Sequence, residues 1–161
     1  VAEALCIAYE SYNNVEIRIA RIFNTYGPFM DPDDGRVVSN FIVQALKDEP
    51  ITVYGDGTQT RSFCFVDDLV DGLIKLINSD YNRPINLGNP EEYNMLEFAK
   101  LVKEKTGSNS IIEHLELPTD DPKKRCPDIS LAIETLNWHP KIKLTEGLDY
   151  TVEWYAKILN E

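Results

Sequence analysis

Asn24 and Thr25 stand where the apolar segment Val15 to Ile22 gives way to a loop, Asn24 to Gly35, rich in Gly, Pro, Asn and Asp. In open α/β sheets, ligands sit beyond the carboxyl ends of strands, so an amide and a hydroxyl leaving a strand there can hydrogen-bond a small molecule. The same two residues can equally serve only to turn the chain, and on the residues alone both readings stand. Asp67 and Asp68 are paired carboxylates, a type that does acid–base work, but their place at the head of an apolar periodic run fits helix capping better. His114 and His139 are isolated and read as structural. Cys6, Cys64 and Cys126 are odd in number and far apart, which matches neither a metal spacing nor a disulfide framework. They read as reduced thiols, and no metal site is expected.

The formal net charge of -11 opposes nucleic-acid binding, which depends on neutralising phosphates. It leaves an anionic small substrate open, because a few local arginines override a diffuse field. The 161 residues, 43% apolar and 27% charged, suffice for a folded domain with a sizeable core. No apolar run reaches the ~18 residues of a membrane span. The first residue is Val1, so the compartment is not legible at this end; the resemblance described below leaves cytoplasm and Golgi lumen both open.

The elements that must position such residues alternate. Ala2, Leu5, Ala8, Tyr9 and Tyr12 share one helical face, without a cap before them. Val15 to Ile22 suits a strand. Val37 to Asp48 is helical, with Val38, Phe41, Ile42, Ala45 and Leu46 inward. Ile51 to Tyr54 and Thr60 to Val66 are strands around the turn Gly55-Asp56-Gly57. Asp67 caps a helix through Asn78 with Leu69, Leu73, Ile74 and Ile77 inward. Pro84 to Leu87 is a strand. Asn94 and Glu97 have capping-box spacing and open a helix stopped at Gly107. Ile111 to Leu117 is a strand, Thr119 to Pro127 a charged loop and Ser130 to Leu136 a short helix. A last helix runs from Thr145 to Leu159. Trp138 and Trp154 read as core anchors. The class is α/β.

Six segments carry a resemblance: Arg21 to Pro28, Asp34 to Phe41, Val53 to Arg61, Phe65 to Leu69, Asn86 to Pro90 and Asp120 to Ile129. In order and spacing, along essentially the whole chain, they resemble the UDP-glucuronic acid decarboxylases (UDP-xylose synthases) of the extended short-chain dehydrogenase/reductases. Several are shared with nucleotide-sugar 4,6-dehydratases and 4-epimerases. The pairing of Gly-Arg-Val-Val-Ser-Asn-Phe with Thr-Val-Tyr-Gly-Asp-Gly points to the decarboxylase branch. The resemblance implies a Rossmann-like NAD-binding domain, of which residues 1–35 would be the C-terminal part. Residues 36–161 would be mainly the nucleotide-sugar domain, with return segments to the Rossmann domain. It implies NAD as cofactor, a UDP-sugar as substrate, and a homodimer for the full-length enzyme. The reaction implied is conversion of UDP-glucuronate to UDP-xylose and carbon dioxide.

Residue by residue, the resemblance assigns Arg61 to the diphosphate and Arg125 to the phosphates and ribose. Guanidinium forks match phosphate oxygens better than ammonium does. Arg36 would lie near sugar and cofactor. Asn24 would hydrogen-bond the sugar-diphosphate and Thr25 would approach the nicotinamide end of NAD. Thr52 and Tyr54, with Val53 between, would sandwich uracil and ribose. Val37, Val38, Ser39, Asn40 and Phe41 would line the nucleotide pocket, and Tyr9 would face the sugar. The family's catalytic Tyr-x-x-x-Lys is expected upstream of Val1, since none of the eight tyrosines is followed by Lys four residues on. The Gly-x-Gly-x-x-Gly fingerprint is absent too, Gly55 and Gly57 being followed by Thr60. These residues alone are therefore expected to be inactive, and a non-catalytic nucleotide-sugar-binding module is the alternative outside the enzyme class. Phe29 stands where the family usually has Arg, which predicts different packing of Asp31 to Asp34.

Overall fold

The computed structural model describes residues 1–117 and 124–159. The elements run α1 (Ala2–Asn13), β1 (Ile19–Ile22), β2 (Thr25–Tyr26), α2 (Val37–Leu46), β3 (Ile51–Tyr54), β4 (Thr60–Ser62) and β5 (Cys64–Phe65). They continue with α3 (Val66–Ile77), β6 (Pro84–Leu87), β7 (Glu92–Asn94), α4 (Met95–Thr106), β8 (Ile112–Leu115), β9 (Lys124–Arg125), α5 (Ser130–Leu136) and α6 (Leu144–Ile158). The strands pair parallel as β1 with β6, β2 with β5 and β3 with β8. A three-stranded sheet has the order β7-β4-β9, antiparallel on one side and parallel on the other. Helices between parallel strands make this the α/β class expected.

Two apolar clusters hold the elements. The first gathers α2, β3, α4 and α6: Ile42, Val53, Phe98, Leu148 and Tyr155 are fully enclosed. Phe63 stacks on Phe98 with ring centroids 4.6 Å apart. The second joins β6, α3 and α5 around Trp138, with Leu76, Ile85, Leu87 and Ala132. Gly72 of α3 is there because of the indole: a Cβ would lie 2.9 Å from Trp138 Cε2. Trp154 is only partly buried, packed against the first cluster.

Several expected boundaries move, each because a partner sets the limit. The strand foreseen over Val15 to Ile22 is confined to Ile19–Ile22, since its ladder partner begins at Pro84. Ahead of it, Arg18 ties the chain by donating to Ser79 O at 2.6 Å and to Ile17 O at 2.8 Å. The single strand foreseen over Thr60 to Val66 is two strands, because the chain changes sheets at buried Phe63. β2 and β7 were not foreseen; each exists only through pairing with a distant segment. The strand expected over Ile111 to Leu117 spans Ile112–Leu115, matching the four residues of β3. Part of the loop foreseen over Thr119 to Pro127 is strand β9, while residues 119–123 lie outside the described ones.

Capping does not explain Asp67 or Asp68. Helix α3 has no side-chain cap and Phe65 holds the cap position. Asp68 is buried, and its Oδ2 accepts from Lys141 N at 3.0 Å and Ile142 N at 2.9 Å. It is a strap fastening the segment before α6. Ile74 and Ile77, expected inward, are exposed, because the covered face of α3 is Asp68, Leu69, Gly72 and Leu76. Asn94 does cap α4, accepting from Glu97 N at 2.7 Å, and Gly107 closes it at φ 66°. On α1, Leu5, Tyr9 and Tyr12 are uncovered, and no residue of that helix is buried. Arg21 holds α1 against β1 by a bidentate fork to Glu3, at 2.6 and 2.8 Å. Among the described residues, no helix is long and apolar enough to cross a membrane, and no cluster of His, Cys, Asp and Glu has a metal-holding arrangement.

Candidate functional site

A cavity of about 640 Å³ opens where α2, β3, β4 and β9 converge with the loop after β1. Its lining includes Asn24, Thr25, Arg36, Val38, Asn40, Phe41, Thr52, Tyr54, Arg61 and Arg125. Residues spread across a hundred positions of sequence thus meet in one concavity. Tyr9 and Ser39 are not brought there. Tyr9 lies on α1, 60% exposed. Ser39 is turned inward, donating to Asp34 Oδ1 at 2.7 Å and Arg36 O at 2.9 Å. Gln59, Phe63, Met30 and Met95 also line the cavity. Sequence reasoning passed over them. Gln59 alone carried a local signal, being a polar residue two after the Gly55-Asp56-Gly57 turn; its Nε2 donates to Tyr54 O at 2.8 Å.

The charge distribution is one-sided. Three arginines line the cavity, and among the described residues no Asp or Glu does, although the chain is strongly acidic. Arg61 is only 8% exposed and one guanidinium nitrogen donates to Thr60 O at 2.7 Å. A guanidinium cannot shed its charge, so enclosing it favours an anionic neighbour. Arg125 is its register partner on β9. Arg36, at the start of α2, has its Nε 2.8 Å from Asp34 Oδ2.

Backbone and amide bonds shape the remaining walls. Asn24 O accepts from Cys64 N at 2.8 Å, and Thr25 Oγ1 donates to Phe23 O at 2.9 Å, fixing the exit from β1. Gln44 clamps Thr52 from behind: its Nε2 donates to Thr52 Oγ1 at 2.9 Å and its Oε1 accepts from Thr52 N at 3.1 Å. His114 Nδ1 lies 2.7 Å from Gly55 O, which gives that histidine its structural place. Gly57, at φ 76°, has Leu96 Cβ and Val53 Cγ1 3.0 Å from where a Cβ would stand, so the turn under Tyr54 requires glycine.

The Asp31–Asp34 loop is ordered by its own carboxylates. Asp31 Oδ1 accepts from Asp33 N at 2.9 Å, and Asp34 Oδ1 from Arg36 N at 2.9 Å. Phe29 adopts φ 68° and is 87% exposed, its ring 5.6 Å from that of Trp154. Asp34 orients both the backbone and the side chain of Arg36, so Asp34→Ala is expected to weaken binding of an anionic ligand that reaches Arg36 about 3- to 10-fold, the loss of one or two charge-assisted bonds. A ligand confined to Arg61 and Arg125 is expected to change less than twofold. Calorimetry with the two kinds of ligand checks this, and equal losses for both would overturn it.

The model of the NAD dependent epimerase/dehydratase family matches residues 1–94. The chain belongs to this family. Among curated relatives of this epimerase/dehydratase chain, UDP-glucuronic acid decarboxylase 1 of Danio rerio is 52% identical over 159 residues, covering 99% of this chain. UDP-glucuronic acid decarboxylase 3 of Arabidopsis thaliana is 55% identical over 160 residues, again over 99% of this chain. The chain spans 38% and 47% of the lengths of these two relatives. Among solved structures, UDP-glucose 4-epimerase of Thermotoga maritima with UDP-glucose superposes with a TM-score of 0.92 at 30% identity, over 98% of this chain and 51% of that one. UDP-glucuronic acid 4-epimerase of Bacillus cereus, in complex with UDP-glucuronic acid and NAD, gives 0.88 at 31% identity, over 97% and 50%. The chain thereby has the α/β architecture of about half of a Rossmann-like epimerase structure.

Proposed function

We propose that the cavity binds the nucleotide and sugar of UDP-glucuronate, and that the intact enzyme converts it to UDP-xylose and carbon dioxide. The observation that carries this reading is a cavity lined by three arginines and by no carboxylate among the described residues, in a chain of net charge -11. Such a wall suits a ligand with several negative charges, such as a nucleoside diphosphate bearing an acidic sugar. The similarity to relatives named UDP-glucuronic acid decarboxylases supports the choice of sugar. In this reading Arg61 and Arg125 take the diphosphate, Thr52, Tyr54 and Phe41 enclose uracil and ribose, and Asn24 and Asn40 supply amides along the sugar-diphosphate. Arg36 faces the sugar carboxylate.

For NAD, the residues present fit one end only. Thr25, just past the carboxyl end of β1, and Arg36, at the start of α2, both stand at the cavity wall, a place suited to the nicotinamide. No glycine fingerprint in this chain matches the pyrophosphate. When bound, NAD supplies a reversible hydride acceptor for the sugar ring. The chain's own residues bind, orient and balance the charge of the substrate. We assign residues 1–35 to the dinucleotide-binding domain and 36–161 mainly to the substrate domain, α3, β6 and α5 being segments that return to pack by β1. The intact enzyme is, in this reading, a homodimer.

Carboxyl-labelled UDP-glucuronate is expected to release labelled carbon dioxide on the intact enzyme with no net consumption of NAD. These 161 residues alone, lacking Tyr-x-x-x-Lys, are expected to release none. The similarity to solved 4-epimerases makes an epimerase the second reading. A product that keeps its carboxylate and is inverted at C4 would establish it instead.

A further inference from the structure

Arg61 and Arg125 are register partners in neighbouring parallel strands, so two guanidiniums rise side by side from one face of the β7-β4-β9 sheet. Like charges placed opposite one another destabilise a strand pair. Among the described residues, strand β9 is also two residues long, lies on the edge and pairs only with β4. A strand that short holds its place weakly by its ladder alone. The Ser62 Oγ to Arg125 O contact, at 3.4 Å, adds little.

The other face of the sheet supplies the restraint. Side chains alternate across a strand, so Thr60 and Lys124, also register partners, project away from the two arginines. Glu92, on the opposite edge strand β7, pairs with Ser62 and therefore shares that face. Its Oε2 lies 2.7 Å from Lys124 Nζ, and its Oε1 accepts from Thr60 Oγ1 at 2.6 Å. One carboxylate thus reaches from one edge strand, over the central strand, to the other edge. Lys124, and then Thr60, hold the Glu92 carboxyl below the usual carboxylate range. Neither Glu92 nor Lys124 lines the cavity.

The geometry points to Glu92 as a positioning residue for the anion site: through Lys124 it keeps β9 in register, so that Arg125 is presented beside Arg61. This rests on the reading of the cavity as a nucleoside-diphosphate site. The latch acts from behind the sheet, so its effect is confined to ligands that use Arg125. Glu92→Gln and Lys124→Gln are each expected to lower UDP affinity about 3- to 5-fold, the upper range for a partly exposed ion pair. Uridine, which has no phosphate, is expected to bind each variant as it binds the parent. The double variant is expected to be no weaker than either single one, and the charge swap Glu92→Lys with Lys124→Glu is expected to recover most of the loss. Unchanged UDP affinity in both single variants, equal losses for UDP and uridine, or losses that add in the double variant would each overturn the inference. If Arg61→Ala leaves UDP affinity unchanged, the anion-site reading fails first and this inference with it.

Discussion

Arg61→Ala in the intact enzyme is expected to weaken UDP binding about 30-fold, on the order of 2 kcal/mol, the worth of a charge-assisted phosphate contact in a water-poor setting. Arg61 is nearly enclosed, and a bond to the carbonyl of Thr60 keeps its plane in the cavity wall. Little side-chain freedom remains to be lost when a phosphate arrives. Arg125 is exposed on a short edge strand, so Arg125→Ala is expected to cost less. Arg61→Lys should recover only part of the affinity, because an ammonium offers no planar fork to two oxygens. NAD affinity should hold. Titration calorimetry with UDP decides the matter; unchanged affinity for the alanine variant would remove the diphosphate from this wall.

Trp138→Ala is expected to destabilise the fold by about 3–5 kcal/mol, the cost of emptying a large, fully enclosed aromatic site. Trp138 has no exposed surface and centres the second apolar cluster. Its Nε1 donates to Asp68 O at 2.9 Å, so truncation also removes a buried hydrogen bond. Gly72, which has no Cβ, cannot fill the space. Urea denaturation should show a lower midpoint with an unchanged slope. A loss under about 1 kcal/mol would mean that the indole is not the anchor of this cluster.

The inward face of α2 could be foreseen because helical periodicity is a local property. Val38, Phe41, Ile42 and Ala45 repeat at the spacing of one face, and all four are buried. The cap at Asn94 and the stop at Gly107 were legible for the same reason: cap and helix lie within a few residues of each other. Asn24, Arg36, Arg61 and Arg125 came from motif resemblance, and periodicity alone would have left each as a turn or a surface charge. Ser39 shows the limit of such transfer. It lies in the right motif, but on the turn of α2 that faces Asp34 rather than the cavity.

By itself the sequence determined the α/β class, the inward face of α2 and the absence of a Tyr-x-x-x-Lys pair, all readable from neighbours along the chain. Tertiary structure alone decided where strands stop, because a ladder is as long as its partner allows: β1 is cut to four residues by Pro84. It decided that Asp68 fastens the segment before α6 rather than capping a helix, through bonds to residues more than seventy positions away. It also set Arg61 beside Arg125 and placed Glu92 behind them. Those juxtapositions depend on the register of strands far apart in sequence, which no local pattern of residues encodes.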